Sequence, residues 1–505
     1  MILPYLMETQ SASKKYTVAF RGLNYGEGYQ DGELADCENL STEKYPCLGQ
    51  RASRVKVGQY EHPQTLHAKD GIIVIDGTNV FYNEKKVGEV TAGRKQTATI
   101  GNYVVIFPDK VYYNVATNTF GTMEETFTGT GLVFTHNTIT TTEGTFNFRE
   151  GDAVNITGCV TAENNKELIV RAVSSNVLTF KDNSFTATTE NDEVILQRRV
   201  PDLDFICESN YRLWGTKGNT IFSSKFSDPL NFFVFDNLAS DSYNIDVGSD
   251  GEFTGCIPYS SHLCFFKENT LHKLYGTKPS NFQVVTANIY GVQSGCERSM
   301  CIVNEQLLYK GVDGVYAYTG GVPELISSKF GTVRFSDAVA TCDGERYYIS
   351  MKHNNEWSLY VYDVLKNIWL REDDTHAHDM AFYNGYVHYL DDSGALYRID
   401  RTAARDEIEW SATFCPFNET VNEKKGYSKF HLRLDMAAGA WLKVDVKSDN
   451  DTQWREVYKT HNEKARTISV PIIPTRCDSV MVRLRGKGEC TVKAFIREFT
   501  TGSDK

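Results

Sequence analysis

The stretch DDTHAHD, residues 373–379, gathers the side chains best suited to chemistry in this chain. His376 and His378 stand at i and i+2, so on a strand both imidazoles share one face, and Asp373, Asp374 or Asp379 can add oxygen donors. Two imidazoles and a carboxylate would suit a divalent transition ion, but a third ligand from elsewhere in the chain is needed. The sequence does not identify it, and a loop capped by polar residues explains the same pattern, so His376 and His378 are weak metal candidates and no metal or other cofactor is expected. DVKSDND, residues 445–451, spaces its acids like a calcium loop but lacks the central Gly and closing Glu, and reads as a hairpin tip. Tyr211, Trp214, Phe232 and Phe233 could stack on sugars, although their strand-like context favours core packing. Nucleophile elbows, phosphate loops, His-Glu-x-x-His motifs and repeated glycosidase boxes do not occur, and catalysis is not expected.

The elements that must position these groups are short strands. Apolar runs, polar turns and aromatic-rich return strands recur at roughly forty-residue intervals, close to the period of a propeller blade. CIVNEQLLYKGVDGVYAYTGGVPELI (301–326) shows the pattern most clearly, with Asp313-Gly314 as its hairpin turn. Six further copies begin near Gly71, Gly101, Asp204, Cys256, Asp337 and Asp379, with turns such as Asp76-Gly77, Lys217-Gly218 and Asp392-Ser393-Gly394. A meander this short cannot bury its own faces, so it needs neighbours of the same kind. The chain is therefore expected to be all-β, with a propeller body; a series of unrelated hairpins is the alternative.

Two regions depart from the cadence. Residues 121–199 alternate in Ala153-Val154-Asn155-Ile156 and Leu168-Ile169-Val170, which predicts a small closed β-barrel inserted in a blade connection. After residue 404, strict alternation as in HLRLDM predicts a C-terminal β-sandwich. The expected division is an extended N-terminal arm (1–55), first blades (56–120), the inserted barrel (121–199), further blades (200–404) and the sandwich (405–505).

Composition limits the rest. The chain has 505 residues with 28 Tyr and 28 Phe, and its twelve cysteines include no Cys-x-x-Cys pair, so reduced buried thiols are expected. No apolar run has the length of a membrane span, and MILPYLMETQ lacks the marks of a secretion signal, which predicts a cytoplasmic product. Sequons at Asn39, Asn155, Asn418 and Asn450 are then chance matches. The formal charge is −12, yet residues 405–505 hold 18 Lys and Arg against 15 Asp and Glu, leaving residues 1–404 at −15. An acidic body argues against tight binding to nucleic-acid backbones. Arg483, Arg485 and Lys487 are candidates for an assembly surface facing that acidic body.

One family resemblance rests on ordered words. Gly-Leu-Asn at 22–24, Asp-Gly-Glu-Leu at 31–34 and Tyr-Pro-x-Leu-x-x-Arg at 45–51 are followed by VPDLDFICESNYRLWG (200–215), SSKFSDPLNFFVF (223–235), FFKENTLHKLYG (265–276) and GVQSGCERSM (291–300), with PIIPTR (471–476) near the end. Outside 121–199, the chain resembles propeller-type structural proteins of tailed bacteriophages and prophages, of the tail-nozzle or stabilisation kind. The resemblance implies a virion component in a tail or head–tail connector ring, assembled in the host cytoplasm. Its implied partners are other copies of itself, six by analogy, together with portal, adaptor or other tail proteins. DNA would pass without tight binding, and no membrane insertion is implied. The alternative is a carbohydrate-binding or glycan-cleaving propeller acting in host-surface recognition.

Overall fold

A computed structural model describes residues 12–405, 407–449, 451–461, 466–473 and 475–501. The MILPYLMETQ segment, Asn450 of the acidic run and Pro474 of PIIPTR lie outside the described residues. The chain forms two compact units, one comprising residues up to Gln59 with those from Arg298 onward, the other Tyr60–Glu297. Both are built from strands, and no described helix is long and apolar enough to cross a membrane.

The second unit, Tyr60–Glu297, holds four antiparallel four-stranded meanders, spanning 63–89, 96–122, 205–246 and 255–288. Tyr103–Phe107 shows why the sequence folds this way. Val104 and Ile106 pack with Ile73, Ile75 and Val80 of the preceding meander, while Val105 and Phe107 pack with Leu203, Leu213 and Phe232 on the other side. A strand covered on both faces must be apolar at every position, and YVVIF is. Each such side chain contributes about 1.5–3 kcal/mol on burial. The same arrangement places Trp214 and Ile221 against Phe265 and Leu274. First strands of successive meanders stand side by side, Gln96–Ile100 next to Phe205–Ser209 and that strand next to Gly255–Tyr259.

Between the second and third meanders lies the insertion. Its eight strands, from Glu125–Gly129 to Val194–Arg198, form one antiparallel sheet around a core that includes Phe134, Ile139, Val154, Leu178 and Leu196. The closed barrel expected here is corrected in one respect: among the described residues no ladder joins the two edge strands, Glu125–Gly129 and Thr188–Glu190. The sheet instead wraps its core by a register shift between Val170 and Ala172 in the long strand Glu167–Ser174, which bends the strand at that point.

The first unit holds three meanders, spanning 301–325, 338–373 and 377–399, the last completed by Arg54–Gln59 pairing with Ala395–Ile399. That strand was expected to open the first blades at residue 56, but it belongs to the last of the repeats. With the four of the other unit, the described residues contain seven four-stranded meanders.

The same unit carries two further sheets, one of seven strands and one of six, which meet across an aromatic layer. Phe414 of the six-stranded sheet stacks on Phe495 of the seven-stranded one with ring centroids 5.5 Å apart. The part of the expected extended N-terminal arm that is described, residues 12–55, contributes strands to these sheets. Ser13–Thr17, Leu40–Ser41 and Leu48–Gln50 enter the seven-stranded sheet; Gly22–Leu23 and Glu33–Glu38 enter the six-stranded one. Gly22–Leu23 pairs locally with Glu33–Leu34 and Leu40–Ser41 with Gly49–Gln50, while Ser13–Thr17, Glu33–Glu38 and Leu48–Gln50 pair with strands more than 370 residues later in sequence, as where Leu34 lies opposite Phe414. Gly22 adopts a φ of +79°, and a Cβ there would lie 2.5 Å from the Trp369 carbonyl oxygen, so a side chain cannot be accommodated.

Candidate metal centre and charged surface

His376 and His378 do come together, and the third member of their group is Asp392, from a different turn. The strand Ile368–Asp373 ends just before a short link, and Ala377–Tyr383 begins just after His376. Across the ladder Ala377 lies opposite Asp391 but Asp379 opposite Leu390, so His378 is the extra residue of a bulge beside the hairpin turn. That turn is rigid. The Asp391 carboxylate accepts from the Ser393 and Ala395 backbone N–H groups at 2.9 and 3.0 Å, and Gly394 supplies the positive φ of 79°. Asp392 is therefore held facing the histidines, with Oδ1 2.6 Å from His376 Nδ1 and 3.1 Å from His378 Nε2.

Trp357, on the strand Glu356–Asp363, stacks on the His376 ring at 3.9 Å and 13°. The two imidazole centroids lie 4.6 Å apart. Burial lowers the His376 pKa below the ordinary imidazole value, against the pull of Asp392.

The three nearby acids that the sequence suggested as ligands serve other partners. Asp373 pairs with Arg54 at 2.8 Å and Arg51 at 3.2 Å; although burial opposes ionisation, these guanidiniums hold its carboxyl below the usual range. Asp374 pairs with Arg371 at 2.7 Å and Asp379 with Arg298 at 2.6 Å. Asp392 was visible in the sequence only as a turn residue, because nothing local links it to a histidine sixteen positions earlier.

The other candidates resolve differently. Asp445 is buried and accepts from Arg483 Nε at 2.9 Å and from Arg485 Nε at 2.6 Å, while Asp451 accepts from Ser448, so the acids of 445–451 that are described serve hairpin and ion-pair roles. Burial opposes ionisation of Asp445, but the two guanidiniums hold its pKa low. Lys487 meets Glu407 at 2.6 Å, and Arg483 also covers the Trp454 ring at 4.6 Å. Each of the three cations considered for assembly thus has an acid partner within its own chain. Trp214 and Phe232 are buried, Arg199 covers the Phe233 ring at 4.7 Å, and Tyr211 alone of the four aromatics is exposed, edge-on to Phe226. All twelve cysteines are free thiols.

No family model matches the chain, and no curated protein matches it. Among solved structures it is similar to BamB from Moraxella catarrhalis, at 9% identity and TM-score 0.36 over 69% of this chain and 97% of that one. It is also similar to BBS1N in complex with ARL6DN, at 9% identity and TM-score 0.36 over 70% and 99%. A third similarity is to the exo-beta-1,3-galactanase of Phanerochaete chrysosporium, at 9% identity and TM-score 0.22 over 57% and 92%.

Proposed function

We propose that the chain is a structural component of a tailed-phage virion, a β-propeller body with an inserted barrel-like domain and a C-terminal β-sandwich, forming a ring in the tail nozzle or connector through which the genome passes. The observation that carries this reading is where the family-like words fall. RLWG lies in the second strand of one meander, Arg212–Lys217, and FFK followed by TLHKLY lies in the second and third strands of the next, His262–Lys267 and Thr270–Tyr275. Ser-Asp-Pro-Leu-Asn-Phe forms the connection at 227–232, where buried Asn231 ties the meander to the insertion. The words that resemble the phage group therefore occupy repeated structural positions.

An acidic body suits a channel wall for DNA, because cationic walls hold phosphates more tightly with every contact and would slow passage. The test is electron microscopy and solution mass of the purified protein, with duplex-DNA binding measured at physiological salt. Cyclic homo-oligomers without measurable DNA binding support the reading. Active monomers or salt-sensitive tight DNA binding overturn it. A second reading, glycan binding or cleavage, is favoured by one open cleft of about 700 Å³, lined by Phe235, Asn237, Asp241, Tyr243 and Lys278. Turnover of bacterial glycans by a monomer would select it.

A further inference from the structure

We propose that His376, His378 and Asp392 bind one divalent first-row transition ion, of the zinc, nickel, cobalt or copper class, whatever assembly the chain enters. The three ligand atoms lie within 4.8 Å of one another. The two nitrogen–oxygen separations are 2.6 and 3.1 Å. An ion with bonds of about 2.0–2.2 Å holds neighbouring ligands roughly 3–3.4 Å apart, so His376 and Asp392 must separate slightly on binding while all three ligand atoms already lie within 4.8 Å of one another. Two imidazoles with one carboxylate form a borderline donor set that suits those ions better than calcium or magnesium, which take oxygen ligands.

The surroundings hold the donors in place as metal sites require. Trp357 fixes the plane of the His376 ring, the bulge fixes His378, and the Asp391 turn fixes Asp392. Asp392 is 66% exposed and His378 33%, so the remaining coordination positions face solvent, open to water or to a donor from another molecule. This is the geometry of an accessible site that links a strand start to a hairpin turn, distinct from a closed four-ligand structural centre.

The experiment uses the full chain, stripped with chelator and dialysed, with nickel(II) followed by calorimetry and cobalt(II) by absorption. One ion per chain is expected, without the thiolate charge-transfer bands that cysteine ligands would produce. His376→Ala and His378→Ala should each weaken binding by more than the roughly 10–100-fold that outer-shell partners command. Asp392→Asn keeps the side-chain volume and guards against loss of fold, and it too should weaken binding. His353→Ala, at a histidine bonded to the Arg334 carbonyl, should leave binding unchanged. No binding by the wild-type protein, equal binding by Asp392→Asn and His378→Ala, or cobalt spectra dominated by thiolate would each overturn the assignment.

Discussion

Arg497 is a heavily committed cation, and replacing it tests how the strands Ser13–Thr17 and Cys490–Thr501 are held together. Its guanidinium is 1% exposed, as is the Glu419 carboxylate. Nε and Nη2 donate to Glu419 at 2.7 and 3.2 Å, Nη1 donates to Thr17 Oγ1 at 2.6 Å, and Nη2 also reaches Asp31 at 2.8 Å. The ring of Phe417 lies 3.8 Å beneath it. Arg497→Ala leaves Glu419 buried without its countercharge, which costs about 3–5 kcal/mol. The lost bonds to Thr17 and Asp31 add about 1 kcal/mol each, part of which water restores at the half-exposed Asp31. The expected result is an unfolding free energy, from urea titration, lower by that amount, with residues 18–31 newly open to protease. The double variant Glu419→Gln, Arg497→Met removes both charges and should be more stable than Arg497→Ala alone. A loss under about 1 kcal/mol for Arg497→Ala with an unchanged protease pattern would refute the reasoning, because it would mean that the pair contributes no more than a surface ion pair.

Three further outcomes are expected. Asp152 is buried and accepts from Arg198 at 2.6 Å and from Asn231 at 2.9 Å, so Asp152→Ala should cost about 3 kcal/mol, while deletion of 125–198 with a short linker should leave a folded β-rich body; loss of soluble protein on deletion would count against an insertion. His272 is 1% exposed between Ser249 and Thr286, and burial lowers its pKa to about 4. The unfolded chain, with an imidazole pKa near ~6.5, binds the proton first on acidification, so stability is lost as pH falls from about 6.5 to 4, by up to ~3 kcal/mol from this residue. His272→Gln should flatten that limb in urea titrations, and an unchanged slope would refute the assignment. At the charged surface, reversing Arg483 and Arg485 to Glu would strand buried Asp445, so Lys487→Glu is the cleaner probe of assembly; equal oligomer formation by that variant would remove Lys487 from the contact.

The repeats were legible because their causes are local. YVVIF must be covered on both faces, Asp313-Gly314 and Asp392-Ser393-Gly394 close hairpins by their own backbone preferences, and alternation in HLRLDM marks a strand with one face inward. The insertion was legible as a break in the cadence, and His376 and His378 as two imidazoles close in sequence, although His376 precedes the strand and His378 sits in a bulge and not on a regular strand face. Other features depend on residues distant in sequence. Strand Arg54–Gln59 completes a meander that ends at Ile399, strands between Ser13 and Gln50 fill sheets whose other strands come after residue 408, and Asp392 reaches the histidines through a bulge. The sequence alone determined which segments are strands and where they turn, since both follow from neighbours within a few residues. Only the tertiary structure decided which strand pairs with which and which acid faces which base, because those choices are made by burial and countercharge across hundreds of residues, where local patterns carry no information.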